Sequence, residues 1–241
     1  TSPDGITWTA RPESANNGWK DVTEGPTITT PTTPIHRVVA VAQNGTNRVQ
    51  SSENGGRTWF GSSVGNESTA TFDGVVWSQA LELFVACKDG GSNGIYTSPD
   101  GFTWTQRTTT INVSRNAIAW SPALSLFACV GTTGDLDTSS NGTSWTFDTA
   151  GLSNRTWNDV CWSPELRIFC AVASTGDASR VMTSTTGTAW TARTAAASNT
   201  WTSVCWSPER MIFAACSSDG TDRVMTSPDG ITWTAVNVTA G

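Results

Sequence analysis

An all-β fold, a five-bladed β-propeller of four-stranded antiparallel blades, is predicted by three observations: a nine-residue phrase said six times, a spacing near 45 residues, and short apolar runs bounded by turn residues. The phrase is Thr1-Ser2-Pro3-Asp4-Gly5-Ile6-Thr7-Trp8-Thr9. It returns identically at Thr226 to Thr234, and four variants end in Trp59, Trp104, Trp145 and Trp190. Steps between successive tryptophans are 51, 45, 41, 45 and 43 residues. A period of that length marks repeats of one supersecondary unit stacked or set radially.

Each unit predicts the same four strands. The inner run ends in Trp-Ser: Val75-Val76-Trp77-Ser78, Ile118-Ala119-Trp120-Ser121, Val160-Cys161-Trp162-Ser163 and Val204-Cys205-Trp206-Ser207. A tight turn leads to the second run, as in Leu83-Phe84-Val85-Ala86-Cys87 or Ile168-Phe169-Cys170-Ala171-Val172. After a Gly/Asp loop comes a third short strand (Ile95-Tyr96, Leu136-Asp137, Val181-Met182, Val224-Met225), and the phrase itself delivers the fourth. Runs of four to six residues rich in β-branched and aromatic side chains, bounded by Pro, Gly and Asp, read as strands. Radial closure of such blades removes exposed sheet edges. The blades fall at about 11–60, 61–107, 108–148, 149–192 and 193–235, with residues 1–10 as an extra or closing strand, because the fourth strand has six copies and the others five. The first unit is divergent, with a Thr/Pro-rich stretch from Thr23 to Pro34.

Composition narrows the function. Charged residues make up 14% of the chain, with 14 Lys plus Arg against 20 Asp plus Glu and a net charge of -6. Without a basic face, a nucleic-acid partner is not expected. No apolar run is long enough to span a membrane, and no charged-then-apolar leader occurs. Of the six cysteines, five sit inside apolar runs and read as small buried hydrophobes. A tight hairpin sets Cys161 opposite Cys170, and whether they bridge stays open. No Cys-x-x-Cys occurs and His36 is the only histidine, so neither a metal nor a cofactor is expected.

The phrase has a physical job: Asp accepts turn N–H groups, Gly takes a positive φ, Ser caps locally, and Trp buries its ring. It resembles the Asp-box, or bacterial-neuraminidase repeat, of sialidase-type propellers, whose pattern is Ser-x-Asp-x-Gly-x-Thr-Trp. The copy at Ser52 to Trp59 has that spacing, with Asn54 for Asp, and the others are one residue shorter. Similar repeats occur in phage-encoded and environmental proteins. The resemblance implies structural turn roles for Asp4, Asn54, Asp100, Asn141 and Asp229, and it implies little about activity. A sialidase would need three converging arginines, a Tyr nucleophile paired with Glu, and an acid/base Asp. The single tyrosine, Tyr96, occupies the packing position of Met182 and Met225, and Arg48, Arg180 and Arg223 share one scaffold position. Glu165 and Glu209 recur on different blades, too far apart for paired acid/base work. The chain is therefore not expected to be an enzyme.

Loops after the second and fourth strands share one face. Five residues before the inner Trp stand Phe72, Arg115, Trp157 and Trp201, with Trp19 in the first unit, and the polar loops beside them carry Asp135, Asp177 and Asp219. Aromatic plates beside amide and carboxylate groups suit a sugar. The expected function is non-catalytic, lectin-like recognition of a glycan or cell-surface partner on a phage tail fibre or similar virion or extracellular appendage. The alternatives are a structural or protein-docking propeller that forms homo-oligomers by exchange of the extra strand, and, third, a glycosidase.

Overall fold

In a computed structural model, the structure describes residues 6, 7, 9, 17–29, 34–62, 64, 70–90, 93–109, 111–148 and 154–236. Asp4 lies outside them. Blade 1 consists of β1 (Trp19–Thr29), β2 (Pro34–Ala42), β3 (Val49–Ser52) and β4 (Phe60–Gly61). Blade 2 has β5 (Phe72–Ser78), β6 (Leu83–Lys88), β7 (Ile95–Ser98) and β8 (Thr105–Arg107). Blade 3 has β9 (Arg115–Ser121), β10 (Leu126–Gly131), β11 (Leu136–Ser139) and β12 (Thr146–Asp148). Blade 4 has β13 (Trp157–Ser163), β14 (Ile168–Ala173), β15 (Val181–Ser184) and β16 (Thr191–Arg193), and blade 5 has β17 (Trp201–Ser207), β18 (Ile212–Ser217), β19 (Val224–Ser227) and β20 (Thr234–Val236). Each sheet is a meander of four hydrogen-bonded antiparallel strands. Among the described residues the only helical element is the single turn Thr132–Gly134. The chain is a five-bladed all-β propeller.

The divergent start of blade 1 is organised by strand pairing. The part of its Thr-rich stretch from Thr23 to Thr29 is the end of β1, which pairs on through Thr29 with β2 after a register shift between Glu24 and Thr27. Pro26 falls inside that shift, where no ladder N–H is required, and the threonines suit a pleated surface.

Blades pack face to face in chain order. Val39, Val41 and Val49 of blade 1 meet Phe72, Val75 and Tyr96 of blade 2. Ile95 and Cys87 then meet Ile118 and Phe127, Leu136 and Val130 meet Trp157 and Met182, and Val172 and Val181 meet Trp201 and Met225. In blades 2 to 5 one phenylalanine ties the sheet together. Phe84 lies 4.4 Å from Trp77 and 6.4 Å from Trp104, Phe127 lies 4.3 Å from Trp120, Phe169 lies 4.7 Å from Trp162 and Phe213 lies 4.6 Å from Trp206, measured between ring centroids. Blade 1 has Val38 and Glu24 at the equivalent positions.

The repeated phrase forms the same closed turn in every described copy. In blade 2, Ser98 Oγ accepts the N–H groups of Asp100 and Gly101, Asp100 Oδ1 accepts those of Phe102 and Thr103, and the Trp104 indole donates to the Gly101 carbonyl. Asn141 and Asp229 repeat this, Asn54 does so through one extra residue, and Thr186 substitutes a hydroxyl. The turn of one blade presses on the blade before it. Gly101, at φ +75°, would carry its Cβ within 2.9 Å of Val39, and Gly142, at φ +73°, within 2.8 Å of Leu83. Positive φ and lack of room both require glycine there.

The cysteines divide by position. Cys161 pairs opposite Cys170 in the β13–β14 ladder as expected, and both are free thiols. Cys205 and Cys216 are exposed, contrary to the expectation of burial, because they sit on the outward face of the last blade. Trp157 fills the space between blades 3 and 4 with no exposure. Trp157→Ala is expected to cost about 3–5 kcal/mol through the cavity it leaves, measured by urea unfolding; a loss under about 1 kcal/mol would contradict this packing role.

Candidate functional site

All five inner strands carry the same irregularity one residue after they begin. The register slips between Trp19 and Asp21, Phe72 and Gly74, Trp157 and Asp159, and Trp201 and Ser203, and the β9–β10 pairing slips at the matching place. A bulge turns its extra residue away from the sheet pairing and re-aims that side chain. Lys20, Asp73, Asn116, Asn158 and Thr202 are these residues, and all five line one cavity of about 500 Å³ on the propeller axis.

The bulges also link blade to blade. Asn116 Nδ2 donates to the Trp157 carbonyl at 2.8 Å, and Asn158 Nδ2 to the Trp201 carbonyl at 2.7 Å. At the next residue, Asp21 accepts the Val22 and Val75 N–H groups, and Asp159 accepts those of Val160 and Val204, each at 2.8 Å. Each carboxylate thus bridges its own strand to the following blade.

Asp73 breaks this pattern. A carboxylate has no proton to give a carbonyl, so it cannot make the bond that Asn116 and Asn158 make. Its Oδ1 accepts instead from Gln43 Nε2 and lies 3.8 Å from Lys20 Nζ, while Oδ2 is buried with no partner. The side chain is only 8% exposed. Burial pushes the Asp73 carboxyl up to about 6, against the pull of Gln43 and Lys20. Burial likewise raises Asp159 to about 6 despite the hydrogen bonds from Ser203 and Val204, with the charge of Asp21 adding to the rise, and it raises Asp21. Asp89 also lines the cavity. Four aspartates around one lysine make the mouth acidic, a setting that favours a cation.

The sequence-predicted residues lie elsewhere. Phe72, Trp157 and Trp201 have no exposed surface and fill the cores between blades, so they offer no ring to a sugar. Of the four predicted aromatics Trp19 alone is exposed, at 37%. Arg115 is buried against Asp137, with Nε to Oδ2 at 2.7 Å. This pair stands where the other blades put Phe72 with Tyr96, whose rings meet edge-on at 5.1 Å, or Trp157 with Met182. Burial raises the Asp137 carboxyl even beside that guanidinium.

The loop aspartates serve their own loops. Asp135 is buried and accepts from the Thr133 hydroxyl. Asp177 accepts from the Ser179 N–H and from Arg155, and Asp219 from the Thr200 hydroxyl and N–H, which hold both carboxyls low. None of the predicted eight lines the axial cavity. Sequence reasoning followed the aromatics and passed over their polar neighbours. The available signal was the pair of polar or small residues, Lys20-Asp21 to Thr202-Ser203, that opens every inner run.

Neither a family model nor any curated protein matches the chain. Solved structures share its fold at low identity. "YCF48 bound to D1 peptide" matches with a TM-score of 0.64 and 15% identity, over 95% of this chain and 72% of that one. A GH74 enzyme from Niastella koreensis matches with a TM-score of 0.67 and 17% identity, over 90% of this chain and 38% of that one. A GH74 xyloglucanase from Xanthomonas campestris matches at 0.60 and 11%, over 90% of this chain and 47% of that one. The expectation that the chain is not an enzyme is corrected by these likenesses: glycoside hydrolases share the fold, so the fold does not exclude enzymatic activity.

Two outcomes test this geometry. Asp73→Asn supplies the missing donor and is expected to stabilise the protein by about 1 kcal/mol at pH 7. A native carboxyl near pH 6 holds its proton where the unfolded one has lost it, so the parent loses stability as pH rises from about 4 to 6 and the variant's advantage grows over that window. Equal pH profiles of melting for the two proteins would refute it. Asp137→Ala should cost about 3–5 kcal/mol by stranding Arg115, whereas Arg115→Trp with Asp137→Met, the blade 4 pairing, should be neutral or stabilising; chemical denaturation of the two variants decides.

Proposed function

We propose that the chain is a recognition propeller whose axial cavity takes a cationic group, a lysine ammonium or arginine guanidinium, from a protein or peptide partner. The observation that carries this is the buried, partnerless Asp73 Oδ2 in an acidic mouth. A buried acceptor left without a bond costs about 1–3 kcal/mol, and an incoming donor relieves that cost while neutralising the charge. Asp21, Asp89 and Asp159 set the field, and Asn116, Asn158 and Thr202 ring the cavity with amide and hydroxyl groups. The similarity to YCF48, whose structure holds a peptide, supports the class of partner.

A carbohydrate ligand is the second reading, favoured by those same amide and hydroxyl groups, with Asp73 accepting from a hydroxyl. It rests on the axial cavity, since the aromatic plate first expected is inside the interblade cores. The fibre setting draws on the phrase resemblance alone. Turnover of xyloglucan belongs beside the binding tests, because a GH74 xyloglucanase shares the fold.

Calorimetric titration of the protein with a panel of peptides bearing Lys, Arg, Glu or Gln at one position tests the reading. Binding is expected for Lys or Arg peptides only, weakened about tenfold or more by Asp73→Asn, a loss of ~1.4 kcal/mol. It should weaken again as pH falls below about 6, where Asp73 and Asp159 gain protons. Equal affinity for the Gln peptides, or full affinity in Asp73→Asn, would overturn it; binding of neutral oligosaccharides that Asp73→Asn abolishes would favour the second reading.

A further inference from the structure

The two oxygens of Asp73 are in different states. Oδ1 accepts from Gln43 Nε2 and has Lys20 Nζ at 3.8 Å, whereas Oδ2 has no partner, in a side chain that is 8% exposed. Gln43 and Lys20 therefore hold one oxygen of the carboxylate and leave the other as a single acceptor. That asymmetry discriminates between the two cations a protein side chain offers. A guanidinium is a planar fork whose parallel N–H groups match both oxygens of a carboxylate at once. An ammonium is a compact charge with three rotatable donors, and one oxygen suffices for it.

Resting on the reading that the axial cavity takes a cationic side chain, we propose that it is a lysine site: an unmodified ammonium meets Asp73 Oδ2 end-on, in preference to arginine and to trimethyllysine. For the arginine fork to seat, Gln43 must give up its bond to Oδ1, and Lys20, itself a cation, must be pushed aside. The ammonium needs neither change at Gln43 nor a second carboxylate oxygen. Its remaining N–H groups call for single neutral acceptors, and Asn116 on the cavity wall is one: its amide nitrogen is spent on the Trp157 carbonyl, which leaves the side-chain oxygen to accept.

Trimethyllysine keeps the charge and has no N–H to give Oδ2. Aromatic cages recognise such groups, and among the described residues no aromatic side chain lines this cavity. Lys20, with 43% of its side chain exposed, repels an incoming cation of either kind and so sets the strength of binding. Gln43 decides between the two kinds.

Calorimetric titration with three peptides that differ only in carrying Lys, Arg or trimethyllysine at one position tests the proposal on the parent, Lys20→Met and Gln43→Leu. The parent is expected to bind the Lys peptide about fivefold or more tighter than the Arg peptide, and about tenfold or more tighter than the trimethyllysine peptide. Lys20→Met should tighten Lys and Arg peptides by similar factors and keep their ratio. Gln43→Leu should free Oδ1 for the fork and lower the Lys-to-Arg ratio to about one or less. An Arg peptide that equals the Lys peptide in the parent overturns the lysine site and leaves the cation reading standing. Trimethyllysine bound as tightly as lysine overturns the end-on hydrogen bond. An unchanged ratio in a folded Gln43→Leu overturns the part given to Gln43, and the selectivity of the parent decides the proposal if that variant does not fold. Binding of none of the three peptides overturns the cation reading and the lysine site together.

Discussion

Everything in this molecule rests on one face of a blade being cut to fit the opposite face of the next. A four-stranded blade has two faces and too little thickness to bury either alone, so its apolar side chains are satisfied only by a neighbour. Phe72, Trp157 and Trp201 fill the same place at three of the four interfaces, and the glycine turn of each phrase presses into the blade before it. Stability is therefore a property of junctions, as in other repeat arrays. Blade 3 shows how far the rule bends: Arg115 and Asp137 occupy the junction position as an ion pair, with the guanidinium Nη2 left without a partner. Such a pair holds the geometry without the gain that apolar packing gives.

The axial cavity follows from the same repetition. A bulge at the second residue of each inner strand points five side chains inward, and the next residue bridges to the following blade. Because the position is structural in every blade, variation in its chemistry is cheap. Asn116 and Asn158 spend their amides on the neighbour's carbonyl; Asp73 cannot, and keeps an unsatisfied oxygen in the cavity instead. Local rules broken without compensation concentrate at sites of function. That oxygen sits on a ring of hydrogen-bonded strands, the setting that the proposed recognition of a single group requires.

The identity of 11 to 17% to the three structural neighbours described above fits a fold maintained by spacing and turn chemistry. A propeller bound to a peptide and a GH74 xyloglucanase share it, so the ring constrains architecture and leaves the axial and loop positions to vary.

From the residues alone, the six-fold phrase, its period and the strand-length apolar runs determined the five blades, their four strands and the pairing of Cys161 with Cys170, because strand register is set by local turns and by alternation. They also marked Tyr96 as a packing residue, since repeats place equivalent residues in equivalent environments. Which way an aromatic faces is another matter. Trp157 and Trp201 sit beside polar loops in sequence and inside interblade cores in space, and only the stacking of blades settles that. The axial aspartates were equally hidden: Asp21, Asp73 and Asp159 are 52 and 86 residues apart along the chain. Their shared cavity and their raised carboxyls arise when a one-dimensional repeat is bent into a ring, and that curvature is written in no single unit.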